Sequence, residues 1–104
     1  MKRHRRLPPA IWALRRQQVW ERDRGRCQGP YCAGAPPIPL EVAHIDHIIP
    51  LSKSGSNAIA NLRTLCRRCH VLRAGHEHQG MIRAALRDEI IPANWRPLVW
   101  EDKP

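Results

Sequence analysis

The sequence predicts a small α+β domain. Three observations carry that prediction: apolar residues at helical spacing towards both ends, an alternating apolar and polar stretch in the middle, and two cysteine pairs that bracket it. Pro8 and Pro9 suit the first turn of a helix. Ile11, Leu14, Gln18, Val19 and Arg22 then recur at helical spacing, with Trp12 and Trp20 widening the stripe. This predicts a helix over 9–24 that stops before Gly25. From Ile38 to Ile49, Leu40, Val42, Ile45 and Ile48 alternate with polar residues until Pro50, as in a strand. A loop of SerLysSerGlySerAsn composition leads to a second short strand at Asn61–Cys66 and then a helix at Arg67–Arg73, weakened at Gly75. Another helix, Met81 to about Glu89, places Ile82, Ala85, Leu86 and Glu89 on related faces.

A chain of 104 residues has room for one domain, whose core is thin: four Trp, one Tyr, no Phe and ten Pro. The expected organisation is a basic arm at 1–8, the helix at 9–24, a metal-bound core at 26–79, a C-terminal helix at 80–91 and a tail at 92–104. That tail, with Trp95, Leu98, Val99 and Trp100, must pack on something to stay ordered, and folding back on its own domain is the simplest arrangement.

Eighteen Lys and Arg against nine acids give a net charge of +9 and a pI near 10.7. Most of the cations are arginine, which suits bidentate contact with phosphate, so nucleic acid is the expected partner. No apolar run approaches the roughly 20 residues that span a bilayer. The apolar stretch after the basic start is broken by two prolines and then by arginines, a poor secretory signal, so a cytoplasmic location is expected. There, paired cysteines favour metal over disulfide.

Cys66 and Cys69 are two residues apart, the spacing of a zinc knuckle, while Cys27 and Cys32 have four residues between them, including Gly29 and Pro30. Together they supply the four ligands of a structural zinc. A redox dithiol is the alternative, but the flanking residues lack the strand-to-helix context it needs. Zinc would offset the thin core, because such sites contribute on the order of 10 to 16 kcal/mol in small peptides.

A second group of residues has a different chemistry. Asp46 and His47 are consecutive on the expected strand, so their side chains leave opposite faces unless the strand end twists. Asn61 opens the second strand. His70 follows Cys69 on the helix, and a step of about 100° turns it away from the zinc pole. Phosphodiester hydrolysis needs a base for water, a cation on the phosphate and something to hold the base. His47 suits the first role, Asp46 and His70 the second, and Asn61 the third.

The runs Glu41–Asn57 and Asn61–His70, with AspHisIleIlePro, a SerLysSerGly loop and CysArgArgCysHis, resemble the HNH endonuclease family of the ββα-metal, or His-Me finger, fold. The resemblance covers roughly Arg26 to His76. It implies a general base at His47, metal ligands at Asp46 and His70, the central asparagine at Asn61, and a structural zinc on Cys27, Cys32, Cys66 and Cys69. It further implies cleavage of DNA with Mg²⁺ or Mn²⁺, leaving 5′-phosphate and 3′-hydroxyl ends. One such site cuts one strand, so a monomer nicks and double-strand cutting needs a homodimer or two encounters. Two departures stand out: SerLysSerGlySer has one glycine where two are commoner, and the first cysteine pair is wider than usual.

Lys53, Arg63, Arg67, Arg68 and Arg73 surround the motif, with Arg63 and Arg73 the best candidates for contacts to the DNA backbone. Arg15, Arg16 and the N-terminal arm either widen that footprint or form a solvated face. His44 shares the face of Asp46, as an extra metal or phosphate contact or as a packing histidine. His76 and His78 read best as a solvated helix end, and Glu41 as a strand-surface charge. The rival to a nuclease is a non-catalytic zinc module that binds nucleic acid, which has no use for Asp46, His47 and His70 together.

Overall fold

The computed structural model describes residues 6–74 and 79–102. Most of the basic arm, and both His76 and His78, lie outside the described residues. Helix α1 spans Pro9–Arg22 and begins with proline in its first turn, where a missing N–H costs nothing. It ends through Arg24 and Gly25, both at positive φ (56° and 68°), with the Gly25 N–H donating to Trp20 O at 2.8 Å.

The apolar stripe does not bury α1 as its periodicity predicts. Val19 is fully buried, but Ile11 and Leu14 stay 47% and 63% exposed. Long polar side chains fasten the helix instead. Arg15 donates to Asn57 O, Arg16 to Leu40 O and Ala43 O, Trp20 Nε1–H to Ile38 O, and Arg22 to Ile59 O and Leu62 O. Arg15 and Arg16 are therefore engaged by backbone carbonyls rather than forming a solvated basic face.

Strand β1 is His44–His47, much shorter than the alternating stretch from Ile38. Leu40–Val42 forms a 3₁₀ turn after Pro39, and the Arg16 guanidinium takes the carbonyls of Leu40 and Ala43 that a longer strand would offer to a neighbour. β1 pairs antiparallel with β2 (Leu62–Leu65) in the register His44↔Leu65, Ile45↔Thr64, Asp46↔Arg63 and His47↔Leu62. Helix α2 (Arg67–Val71) follows at once, with Cys66 as its N-cap. Two strands and a helix thus form one ββα unit.

Helix α3 (Gln79–Arg87) packs on α2 around Val71, Leu72, Ala85 and Ile91, with Trp95, Leu98 and Trp100 against them. The tail folds back on its own domain. Trp100 bridges to Arg73, its N–H donates to Leu72 O, its carbonyl accepts from Ala74, and its Nε1–H reaches Cys69 O at 2.8 Å. No helix among the described residues is long and apolar enough to cross a membrane.

Candidate functional site

Helix α2 separates two chemistries. On one side, the sulfurs of Cys27, Cys32, Cys66 and Cys69 all lie within 4.8 Å of one another, with Cys32 at 3.5 Å from Cys66 and 3.7 Å from Cys69. A tetrahedral ion with bonds of about 2.3 Å requires sulfurs about 3.8 Å apart, so the cluster fits zinc. Its surroundings fit thiolates as well: the N–H groups of Gly29 and Cys66 point at Cys27 Sγ (3.3 and 3.1 Å), and that of Cys69 points at Cys66 Sγ (3.4 Å). Hydrogen bonds from Cys27 and then Cys69 hold Cys66 far below the ordinary thiol range, while sharing with Cys66 pushes Cys27 up to about 11.

The four-residue spacing of the first cysteine pair works because of Gly29. A Cβ there would lie 2.6 Å from both Cβ and Sγ of Cys69, so the loop can close on the helix only with glycine.

One residue on, α2 turns His70 to the opposite side. Its Nδ1 lies 2.8 Å from His44 Nδ1, and its Nε2 lies 3.7 Å from Asp46 Oδ1. Burial, then the nearby Arg67 charge, holds the His44 imidazole below its ordinary value. A neutral His44 can accept the His70 Nδ1–H, and this contact orients His70 Nε2 towards Asp46. His44 is thus a partner of His70.

Asp46 is only 2% exposed, held by Arg63 Nε on Oδ2 (2.9 Å) and by Arg73 on Oδ1 (3.3 Å). His47 points to the other face of β1, as strand alternation requires. There it stacks on Trp12 of α1, with ring centroids 5.5 Å apart and planes 6° from parallel, and its Nε2 meets Asn57 Oδ1 at 2.9 Å.

Asn61, expected to hold the base, instead holds the loop that leads to its partner. Its amide accepts from the Ile49 N–H and donates to Ile49 O and Ser56 O, while its carbonyl accepts from Ile48 N–H. Asn57 meets the ring instead, a role sequence reasoning missed. The available signal was an amide residue ending a glycine-containing loop ten residues beyond His47. Gly55 makes that loop possible, because a Cβ there would lie 1.7 Å from Ile49 O.

Residues 27–74 match the family model described as HNH endonuclease. Over that span, just under half of its length, the chain is similar to HNH endonucleases. The match spans both cysteine pairs, both strands and α2. No curated protein and no solved structure matches the chain.

Within the matched region, the cations that the sequence marks for phosphate sit in unlike places. Lys53 is exposed at the end of a 3₁₀ turn. Arg67 pairs with Asp88 at 2.7 Å, and Arg68 lies over the Tyr31 ring beside Cys32. Arg63 and Arg73 are buried, each joined to both Asp46 and Asp102. Their guanidiniums are occupied by carboxylates because the tail brings Asp102 over them, an approach with no trace in the local sequence.

Proposed function

We propose that this chain is a metal-dependent HNH endonuclease that hydrolyses DNA phosphodiester bonds, nicking one strand per site. The observation that carries the reading is the state of the His47 ring. Its Nε2–H donates to Asn57 Oδ1 and its face rests on Trp12, which leaves Nδ1 as the proton acceptor in a fixed orientation. An imidazole so held suits the general base that takes a proton from water.

Asp46 Oδ1 and His70 Nε2 face each other 3.7 Å apart, and a closing shift of about 0.7 Å would give the roughly 3.0 Å that separates adjacent ligands of an octahedral ion with bonds of about 2.1 Å. A carboxylate and an imidazole accept Mg²⁺ or Mn²⁺ among other divalent ions. A bound ion there supplies Lewis-acid stabilisation of the charge that develops on the phosphate and the leaving oxygen. Arg63 fixes the carboxylate through Oδ2, whereas Arg73 shares Oδ1 and has to yield part of it to a ligated ion. Asn61 positions His47 indirectly, by closing the loop that carries Asn57. The structural zinc takes no part in the chemistry, since four thiolates leave no open position. On this reading the protein is a single domain, cytoplasmic, and a monomer or homodimer.

Supercoiled plasmid with Mg²⁺ or Mn²⁺ tests the proposal beside a His47→Ala variant shown to retain zinc. Wild type should convert plasmid to the nicked form, and the variant should be slower by roughly 10²- to 10⁴-fold. If no divalent ion supports cutting, the nuclease reading fails. The engagement of both Asp46 oxygens by arginine then favours the second reading, a non-catalytic zinc module that binds nucleic acid. Equal cutting by His47→Ala would remove His47 from its role.

A further inference from the structure

Arg63 and Arg73 meet between two carboxylates that differ in setting. Asp46, on the inner side, is 2% exposed, and Asp102, on the outer side, is 40% exposed. Arg63 turns Nε inward to Asp46 and both terminal nitrogens outward, where they grip Asp102 as a fork at 2.7 and 2.9 Å. Arg73 adds a third contact to Asp102 at 3.4 Å.

Nearly every other feature of the fork is fixed independently of Asp102. The Trp100 ring lies against the Arg63 guanidinium, 5.0 Å from its centroid, and is itself tied to Cys69 O. Arg73 donates to His47 O at 3.1 Å and to Ile48 O, so the fork stands at the end of β1 that bears Asp46 and His47. Arg73 Nε is buried with no hydrogen-bond acceptor among the described residues. Asp102 itself lies two residues beyond the Trp100 anchor, on backbone that is neither helix nor strand.

We propose that the Arg63–Arg73 fork is a phosphate-binding site for a nucleic-acid backbone, and that Asp102 occupies it as an internal substitute which the phosphate displaces. Two parallel N–H donors of a guanidinium fit two oxygens of a carboxylate or of a phosphate equally well. A phosphodiester carries the same single negative charge as Asp102, so the exchange keeps two cations balanced by two anions. Asp102 therefore acts as a gate that weakens non-specific binding and yields to a backbone of higher local charge. The inference rests on the nucleic-acid reading above, but not on cleavage.

Binding of a fluorescently labelled DNA duplex tests it by anisotropy, using the zinc-loaded full chain with no other divalent ion added. Wild type is compared with Asp102→Asn, which removes the charge, and with Asp102→Glu, which keeps it. Glu101→Gln is the control, because it makes the same change in net charge at the neighbouring exposed residue. Asp102→Asn should tighten binding by roughly three- to tenfold at low salt and steepen the slope of log K against log salt by about 0.9. Asp102→Glu should match wild type, and Glu101→Gln should leave the slope unchanged. If Asp102→Asn behaves like Glu101→Gln in affinity and slope, the gate does not exist. If no form binds duplex, the nucleic-acid reading fails instead, and titration with inorganic phosphate decides the fork by itself. Its NMR readout is the Arg63 Nε–H signal, which should move at lower phosphate in Asp102→Asn than in wild type. No difference between the two there overturns the proposal.

Discussion

Cys69 and His70 are adjacent on α2, yet they belong to two sites built on opposite principles. The cysteine pole gathers four soft ligands from two turns, and its backbone N–H groups converge on the sulfurs. Its geometry matches one ion and one coordination number. The pole of Asp46, His47 and His70 is built of arginine–carboxylate and imidazole contacts, in which one partner can be exchanged for another. Buried ion pairs of this kind contribute little net stability, because desolvation offsets most of their attraction, although removing one partner is costly. The difference teaches a division of labour. Metal ligation at the cysteine pole would stabilise the fold and so allow the other pole to keep charges whose partners can change.

The largest test of that division removes a metal ligand. Cys66→Ala should leave the zinc-binding pole one ligand short and unfold the domain at 25 °C, since zinc supplies on the order of 10 kcal/mol and whole domains have only about 5–15. Circular dichroism with metal analysis reads both losses, and a folded, zinc-free variant would sink the claim that this pole carries the fold.

Acidification attacks the same pole through its thiols. Cys27, pushed up to about 11, and Cys69, also raised, hold protons at neutral pH that zinc must displace, so affinity should rise with pH. Each displaced proton gives roughly a tenfold change per pH unit. Competition with a chromophoric chelator at pH 6 and pH 8 measures it, and a pH-independent affinity would mean that the thiols are already ionised.

A matched pair of glycine substitutions sharpens the contrast. Gly29→Ala forces a Cβ onto Cys69 and should weaken zinc binding, whereas Gly55→Ala forces one onto Ile49 O and should disorder the loop that holds Asn57. Each should cost about 1–3 kcal/mol or more in urea unfolding, but through different sites. At urea concentrations where both variants remain folded, Gly55→Ala should retain zinc and lose nicking. Equal zinc loss in both would mean that the two poles are not separable.

The smallest effect is expected at Ser54. It sits at φ 66°, in the left-handed region, at the turn where the single-glycine loop departs from the commoner pattern. Ser54→Gly should relieve about 1 kcal/mol of backbone strain and lose part of that to greater unfolded-state entropy. Thermal melting should show a shift of a few degrees upward at most, with zinc affinity unchanged.

What the sequence by itself determined lies close together in the chain or repeats in it. The proline-led start of α1 and its end at Gly25 follow from local backbone preferences. The turn of about 100° between Cys69 and His70 follows from helix geometry, and the cysteine spacing already marked the four sulfurs that the fold gathers. Long side chains reaching across the chain were decided elsewhere. Arg16 shortens β1 from 24 and 27 residues away, Arg22 fastens α1 to β2 from 40, and Asp102 meets Arg63 from 39. Asn57, not Asn61, faces the His47 ring because Gly55 lets the loop pass against Ile49, a contact that exists only once the strands have paired. Local pattern records the period of a helix or strand, but a guanidinium on a flexible stem can reach many acceptors. Only the packed chain selects which one it meets.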